Sequence, residues 1–298
     1  MGLWSHIVAP GFFQSSAVHN ALLAGGVVAV VSGVVGVFTV LRGQSFAGHS
    51  FGDISATGGS AAVLLSINPL VGFIGMGVVA AGCMEAIGVR RARGRDVATG
   101  IVLGAALGLS ALFLYLSSTV NSTTGAATTV LFGSLFTITT ATVPVVVACS
   151  AGVLVVTLLL YRPLLLSSVG DDIAAARGVP VRMTGAVFLV LMSVAVALSA
   201  VTVGAILSTA LLIGPAATAL RMAKRPGTAM LVAAVTGLVA VWIGCLLAYD
   251  SYSWPPAHHG WPVSFFIVAL VFVIYLAVDA GRWWHSRRLN AHHAPVES

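Results

Sequence analysis

Charge is what this 298-residue chain most conspicuously lacks. Only 7% of its residues are Asp, Glu, Lys or Arg, where a soluble domain carries roughly 25%. Fourteen basic and eight acidic side chains cannot clothe a water-soluble globule of this length. A soluble enzyme, a secreted disulfide module and a disordered protein are therefore excluded. Lysine occurs once, as Lys224 in AATALRMAKRP, so no Gly-x-x-x-x-Gly-Lys-Ser/Thr loop exists to cradle a nucleotide. His-Glu-x-x-His is also missing, and the Gly-x-Ser-x-Gly string at Gly48-His49-Ser50-Phe51-Gly52 lies inside a weakly apolar span-length run and not at a strand-to-helix elbow, which disfavours a metalloprotease or hydrolase. The cysteines are three, Cys83, Cys149 and Cys245, each inside an apolar run and none in a Cys-x-x-Cys pair. An odd, scattered set gives neither a disulfide framework nor a zinc ribbon, and buried small hydrophobes are expected. No basic residue precedes Arg42, so the positive start of a secretory signal is absent. The first residues are expected to belong to the mature protein.

What is present is grease. Hydrophobic residues make up 58% of the chain, and runs long enough to cross a bilayer recur along it. About 20 apolar residues suffice for a helical span. Such runs lie at 17–41, 69–88, 98–116, 143–161, 184–200, 203–221, 228–249 and 264–281, with a weaker one at 46–66 rich in Gly and Ser. The expectation is an all-α polytopic bundle of eight or nine spans, with three parts. Residues 1–16 form an N-terminal interfacial segment anchored by Trp4 and Phe12/Phe13, residues 17–281 the membrane domain, and 282–298 a polar cytoplasmic tail without fixed structure.

The placement of positive charge tests the count. With nine alternating spans and the C-terminus inside, the inner loops hold Arg42, Arg90, Arg91, Arg93, Arg95, Arg162, Arg177, Arg182, Arg221, Lys224, Arg225, Arg282, Arg287 and Arg288. Those are all fourteen basic residues, as the positive-inside rule requires. The same placement accounts for the basic pI through membrane lipid and not nucleic acid. A multi-pass protein of the plasma membrane, N-terminus outside, is expected. The pairs Gly48/Gly52 and Gly104/Gly108 have the spacing that lets helices approach closely. Residues 117–129 are expected to be a polar outer loop, which with 130–139 dips into the membrane.

His49 and Asp53 stand out because ionisable residues inside a span are expensive unless paired or lining water. Four residues apart, they share one helix face. An imidazole nitrogen and a carboxylate oxygen there make half of a divalent-metal site, and a two-fold dimer would supply four donors. A His–Asp hydrogen bond that locks helices and a proton relay are the competing readings. On the inner side, residues 162–183 form the longest connection. Ser168, Asp171 and Asp172 supply capping chemistry for a short helix, ended by Gly178 and Pro180. It reads as a solvated connection or as a docking helix. Glu85 and Asp279, near arginines at inner span ends, are expected to be local charge partners.

Three stretches of this chain resemble the integral-membrane permease subunits of zinc, manganese and iron ABC importers, the ABC-3 family. They are ALLAGGVVAVVSGVVGVFTVLRGQSFAGHSFGD (21–53), DDIAAARGV (171–179) and GAILSTALLIGPAATALRMAKR (204–225). The last contains the family's signature at Gly214, Pro215, Ala216, Ala217 and Thr218. The resemblance implies a metal path through His49 and Asp53, with zinc or manganese as cargo and no permanently bound cofactor. It implies docking of an ATPase subunit at Asp171, Asp172, Ala174, Arg177 and Gly178. It further implies a second permease protomer, a homodimer in the simplest case, and an external metal-binding protein. The chain departs from the family in one respect. The usual Gly-Asp-x-x-x-His order is exchanged, so His49 falls on the Asp position and Asp53 on the His position. His258 and His259, in the outer loop DSYSWPPAHHGWPV, are further candidates for passing metal inward. The alternative reading is a proton-coupled secondary transporter using Asp53. It would be expected to show an internal repeat, and no second His-x-x-x-Asp exists in the chain.

Overall fold

A chain this apolar has few structural options in hydrocarbon, because each backbone N–H and C=O must be paired within the protein. The structure, a computed structural model, describes residues 12–87, 92–121, 125–133, 135–253 and 260–292, and among them it contains helices and no strand. In chain order the helices are α1 (Ser16–Leu41), α2 (Ser45–Leu64), α3 (Pro69–Ile87), α4 (Ala92–Val120), α5 (Ala126–Phe132) and α6 (Val143–Leu159). They continue as α7 (Tyr161–Val169), α8 (Asp171–Ala176), α9 (Val181–Val203), α10 (Ala205–Met222), α11 (Pro226–Asp250) and α12 (Val263–His292).

Seven of the described helices are long and apolar enough to cross a membrane, or eight if α6 and α7, bent by 60°, form one broken span. The expected count of nine is therefore too high on that criterion. The difference is α2, which has the length of a span at 20 residues but is built from Gly, Ser, His and Asp. α1 and α9 run through the middle of the bundle and are its most buried long helices, whereas α4 and α12 lie at the edge. α2 is enclosed by α3, α4, α9 and α10.

Helices in lipid gain little from the hydrophobic effect, so close backbone approach and interhelical hydrogen bonds hold them together. Ser32 and Ser199 share a hydrogen bond of 2.7 Å between α1 and α9. Thr57 donates to the Ala106 carbonyl at 2.8 Å, and Ser60 bonds Ser110 at 3.2 Å, fastening α2 to the edge helix α4. Gly58 on α2 and Gly72 on α3 meet backbone to backbone, each occupying space where the other's Cβ would strike a carbonyl oxygen. At Gly204 the chain turns from α9 into α10 with φ of +98°, and its backbone crosses that of Gly133 (φ +78°) so closely that neither position has room for a Cβ.

Several local expectations change. Phe12 is buried edge-on against Tyr249, with ring centroids 5.2 Å apart, and is no membrane anchor; Trp4 lies outside the described residues. The 117–139 region is more ordered than a polar loop: α4 continues to Val120, and α5 packs on α2, α9 and α10 with Val130 buried. Gly48 and Gly52 make close contacts, but Gly104 and Gly108 face open space, because α4 has no neighbour on that side within this chain. Cys245 is buried, yet Cys83 is exposed on the outer face of α3, where lipid rather than protein would cover it. The segment 282–292 is helical, continuing α12, while His293 lies outside the described residues. At the helix ends Arg182 pairs with Glu85 at 3.5 Å, and Arg221 pairs with Asp279 while stacking over Tyr275, as the charge-partner reading expected.

The Gly58–Gly72 crossing makes a measurable demand. Gly58→Leu is expected to destabilise the folded protein by about 3 kcal/mol or more, since the obstruction is backbone that cannot swing aside. Thermal unfolding in detergent would register this as a lowered midpoint, with Gly75→Leu, at a position whose Cβ meets nothing within 4 Å, as the harmless control.

Candidate functional site

The site begins with two glycines. Gly48 and Gly52 place α2 against α9 and α10: a Cβ on Gly48 would come within 2.9 Å of Leu212 Cδ2, and one on Gly52 within 2.8 Å of Ser208 Oγ. Beside this seam α2 carries His49 and Asp53, one turn apart. The imidazole side chain is 46% exposed on the flank of the bundle, while the carboxylate is 11% exposed. The two therefore form an open-sided pair with its acidic member inside.

His49 Nε2 and Asp53 Oδ2 are 3.6 Å apart, beyond hydrogen-bond range. Both groups also sit on α2, so a His–Asp hydrogen bond locking two helices is not what this geometry provides. A single ion at ~2.1 Å from each donor would subtend an angle of roughly 118° across that separation, within the range of open tetrahedral coordination. Among the described residues no group of three or more His, Cys, Asp or Glu converges on one point. One chain thus presents two donors and leaves the other coordination positions open. His258 and His259 lie outside the described residues, so their relation to the pair is not part of this geometry.

Sequence reasoning passed over Thr209. Its Oγ1 lies 3.1 Å from His49 Nδ1, across the α2–α10 seam. The other hydroxyl side chains of α10 turn back on their own helix: Ser208 donates to the Ala205 carbonyl and Thr218 to that of Gly214. Thr209 sits in the LSTALLIGPAATA stretch, and its position one turn after the Gly204 break was the signal available. The signature itself is a packing device. Gly214 has no room for a Cβ because Val271 of α12 is there, and Ala216 lies against Gly36 of α1. Pro215 is buried inside α10. Gly214, Pro215, Ala216, Ala217 and Thr218 thus set where α10 stands between α1 and α12, and with it where Thr209 points.

The connection at 162–183 is two helices and not one. α8 has six residues, is capped by the Gly170 backbone and receives no side-chain cap; Ser168 donates instead to the Leu165 carbonyl at 2.7 Å. Gly178, at φ +78°, closes α8 as expected, with the N–H of Gly178 bonded to Ala175 and that of Val179 to Ala174. Asp171, Asp172, Ile173 and Arg177 are exposed, and Ala174 is the one buried residue of α8, its anchor to the bundle. Arg42, at the α1–α2 turn, donates to Ser167 Oγ and lies over the Phe188 ring at 5.5 Å. Burial lowers its pKa from the ordinary guanidinium value, and the nearby Asp171 carboxylate offsets part of that.

Comparison with known proteins places this arrangement. The manganese import system permease protein ScaB of Streptococcus parasanguinis is 30% identical over 240 residues, which are 80% of this chain and 84% of that protein. The high-affinity zinc uptake system membrane protein ZnuB of Haemophilus influenzae is 27% identical over 240 residues, 79% of this chain and 90% of its own. Among solved structures, PsaBC from Streptococcus pneumoniae in complex with Fab superposes with a TM-score of 0.76 at 25% identity, covering 90% of this chain and 92% of the other. The profile of the ABC 3 transport family matches residues 14–279, nearly the whole chain, and the chain belongs to that family.

Proposed function

We propose that this chain is the membrane-spanning subunit of an ATP-driven importer that carries a divalent metal ion, zinc or manganese, into the cytoplasm. The observation that carries the reading is the open-sided donor pair. An imidazole nitrogen and a carboxylate oxygen stand 3.6 Å apart in the N-terminal half of a span-length helix, too far to satisfy each other and well spaced to share an ion. Two donors hold an ion weakly. Two copies of the chain facing one another about a two-fold axis bring four, enough to strip most of its water and still release it. ScaB and ZnuB, named for manganese import and zinc uptake, support this cargo class.

The chain has no nucleotide-binding loop, so hydrolysis belongs to a separate ATPase subunit. Its docking surface is α8. Asp171, Asp172 and Arg177 offer charge, half-exposed Ile173 offers an apolar contact, and Ala174 and Gly178 fix the helix to the bundle and end it. An external metal-binding protein delivers the ion on the opposite side; with α2 and the α6–α7 pair both crossing, nine spans put the N-terminus outside and the C-terminus in the cytoplasm.

Reconstituted in vesicles with its ATPase partner, the chain is expected to take up Mn(II) or Zn(II) only when ATP is supplied. His49→Ala combined with Asp53→Ala is expected to reduce uptake at least about tenfold. ATP-independent uptake would overturn the importer reading, and full uptake by the double variant would overturn the site. The exchange His49→Asp with Asp53→His, which restores the order usual in the family, keeps the donor set and is expected to retain transport. Uptake is expected to fall on acidification, because a protonated imidazole has no lone pair and a protonated carboxyl binds metal poorly. A pH series of initial uptake rates checks the sign. Asp172→Lys is expected to weaken association with the ATPase, read by co-purification, while leaving the thermal midpoint of the permease alone.

A further inference from the structure

The metal-pair reading leaves one property of His49 unspecified: which ring nitrogen carries the proton. A neutral imidazole has one N–H and one lone pair, and only the lone pair can meet an ion. Nδ1 lies at hydrogen-bond distance from Thr209 Oγ1, at 3.1 Å, and Nε2 faces Asp53 Oδ2 at 3.6 Å.

Two proton arrangements are available. If Thr209 donates to Nδ1, the proton sits on Nε2 and points at the Asp53 carboxylate. A charge-assisted bond of that kind closes to about 2.7–2.9 Å, and the two side chains stand one turn apart on a single helix. The pair has not closed. If Nδ1–H donates to Thr209, the Nε2 lone pair and the carboxylate oxygen face each other as two acceptors. They keep apart, and the space between them suits a cation. The observed separations match the second arrangement.

We propose that Thr209 is a positioning residue that selects the tautomer of His49: its hydroxyl accepts Nδ1–H, so that Nε2 presents its lone pair to the transported ion beside Asp53. This rests on the metal-pair reading above and assigns a role to a residue outside that pair. An outer partner of this kind fixes both the tautomer and the orientation of a ligating ring. Without it, the ring is free to place a proton on Nε2 and bond Asp53, and an arriving ion must first break that bond. The Gly48 and Gly52 seam is what brings α10 near enough for the hydroxyl to reach, so the small residues serve the ligand as well as the packing.

The test is Thr209→Val, equal in shape but without the hydroxyl, compared with Thr209→Ser, which keeps it. In the reconstituted permease–ATPase complex, Thr209→Val is expected to raise the half-saturating Mn(II) concentration for uptake about tenfold. Its fall in maximal rate should be smaller, and Thr209→Ser should stay near wild type. A second readout needs no transport: the rise in thermal midpoint on adding Mn(II) should shrink in Thr209→Val and persist in Thr209→Ser. In a His49→Gln background, Thr209→Val should add nothing to either measurement, because its effect runs through the imidazole. A full-sized Mn(II) response in Thr209→Val overturns the proposal, as does an equal additional loss in the His49→Gln background. If the His49/Asp53 double variant also responds normally to Mn(II), the metal-pair reading itself has failed. If that variant loses the response while Thr209→Val keeps it, only the tautomer assignment has failed.

Discussion

A carboxylate enclosed by helices, with an imidazole 3.6 Å away and no hydrogen bond between them, is the constraint around which this protein is arranged. Ionisable side chains at that depth are costly, and the bundle lowers the cost without cancelling the pair. Asp53 is tucked inside and His49 is left on the flank. The seam at Gly48 and Gly52 brings α10 close, and α10 is itself wedged between α1 at Gly36/Ala216 and α12 at Gly214/Val271. At Gly36 a methyl group would strike the Leu212 backbone and push helices apart, and at Gly48, Gly52 and Gly214 it would displace a neighbouring side chain. The geometry of two donor atoms is therefore held by a chain of small residues reaching across the whole molecule.

The same small residues explain why the bundle tolerates so polar a helix at its heart. α2 gains little from apolar periodicity, being rich in Gly, Ser and Ala. It is held by specific hydrogen bonds, from Thr57 and Ser60 to α4, and by the backbone crossing at Gly58 and Gly72. At its N-terminal end, the turn before α2 is occupied by Arg42, whose guanidinium reaches Ser167 on α7, stacks on Phe188 of α9 and lies near Asp171 of α8. One side chain thus joins the proposed docking helix to the turn from which the donor helix starts. On the importer reading, that is one physical connection between the docking surface and the ion.

Much of this was legible from residue order. Scarce charge and long apolar runs gave the all-helical membrane fold, and the i,i+4 spacing of His49 and Asp53 gave their shared face. The pairing of Glu85 and Asp279 with arginines followed from their places at span ends, and Gly178 was readable as a helix stop because an L-residue resists its backbone angle. Other features were hidden for physical reasons. Thr209 is 160 positions from His49, and only packing brings them together. Ser168 resembles a cap by composition, but the bend after α6 turns its hydroxyl back onto Leu165. Gly104 and Gly108 have the same spacing as Gly48 and Gly52, yet spacing says nothing about whether a helix has a neighbour, and α4 is at the edge. The span count exceeded the apolar criterion because α2 has the length of a span without its composition.

The central claim is that the transported ion touches His49. Pulsed electron paramagnetic resonance on Mn(II) bound to the complex of permease and ATPase addresses it directly, because an imidazole nitrogen in the coordination shell modulates the manganese signal. The account predicts nitrogen modulation in the wild type and its disappearance in His49→Ala. A bound manganese signal with no nitrogen modulation in the wild type, or with the same modulation after His49→Ala, would contradict it.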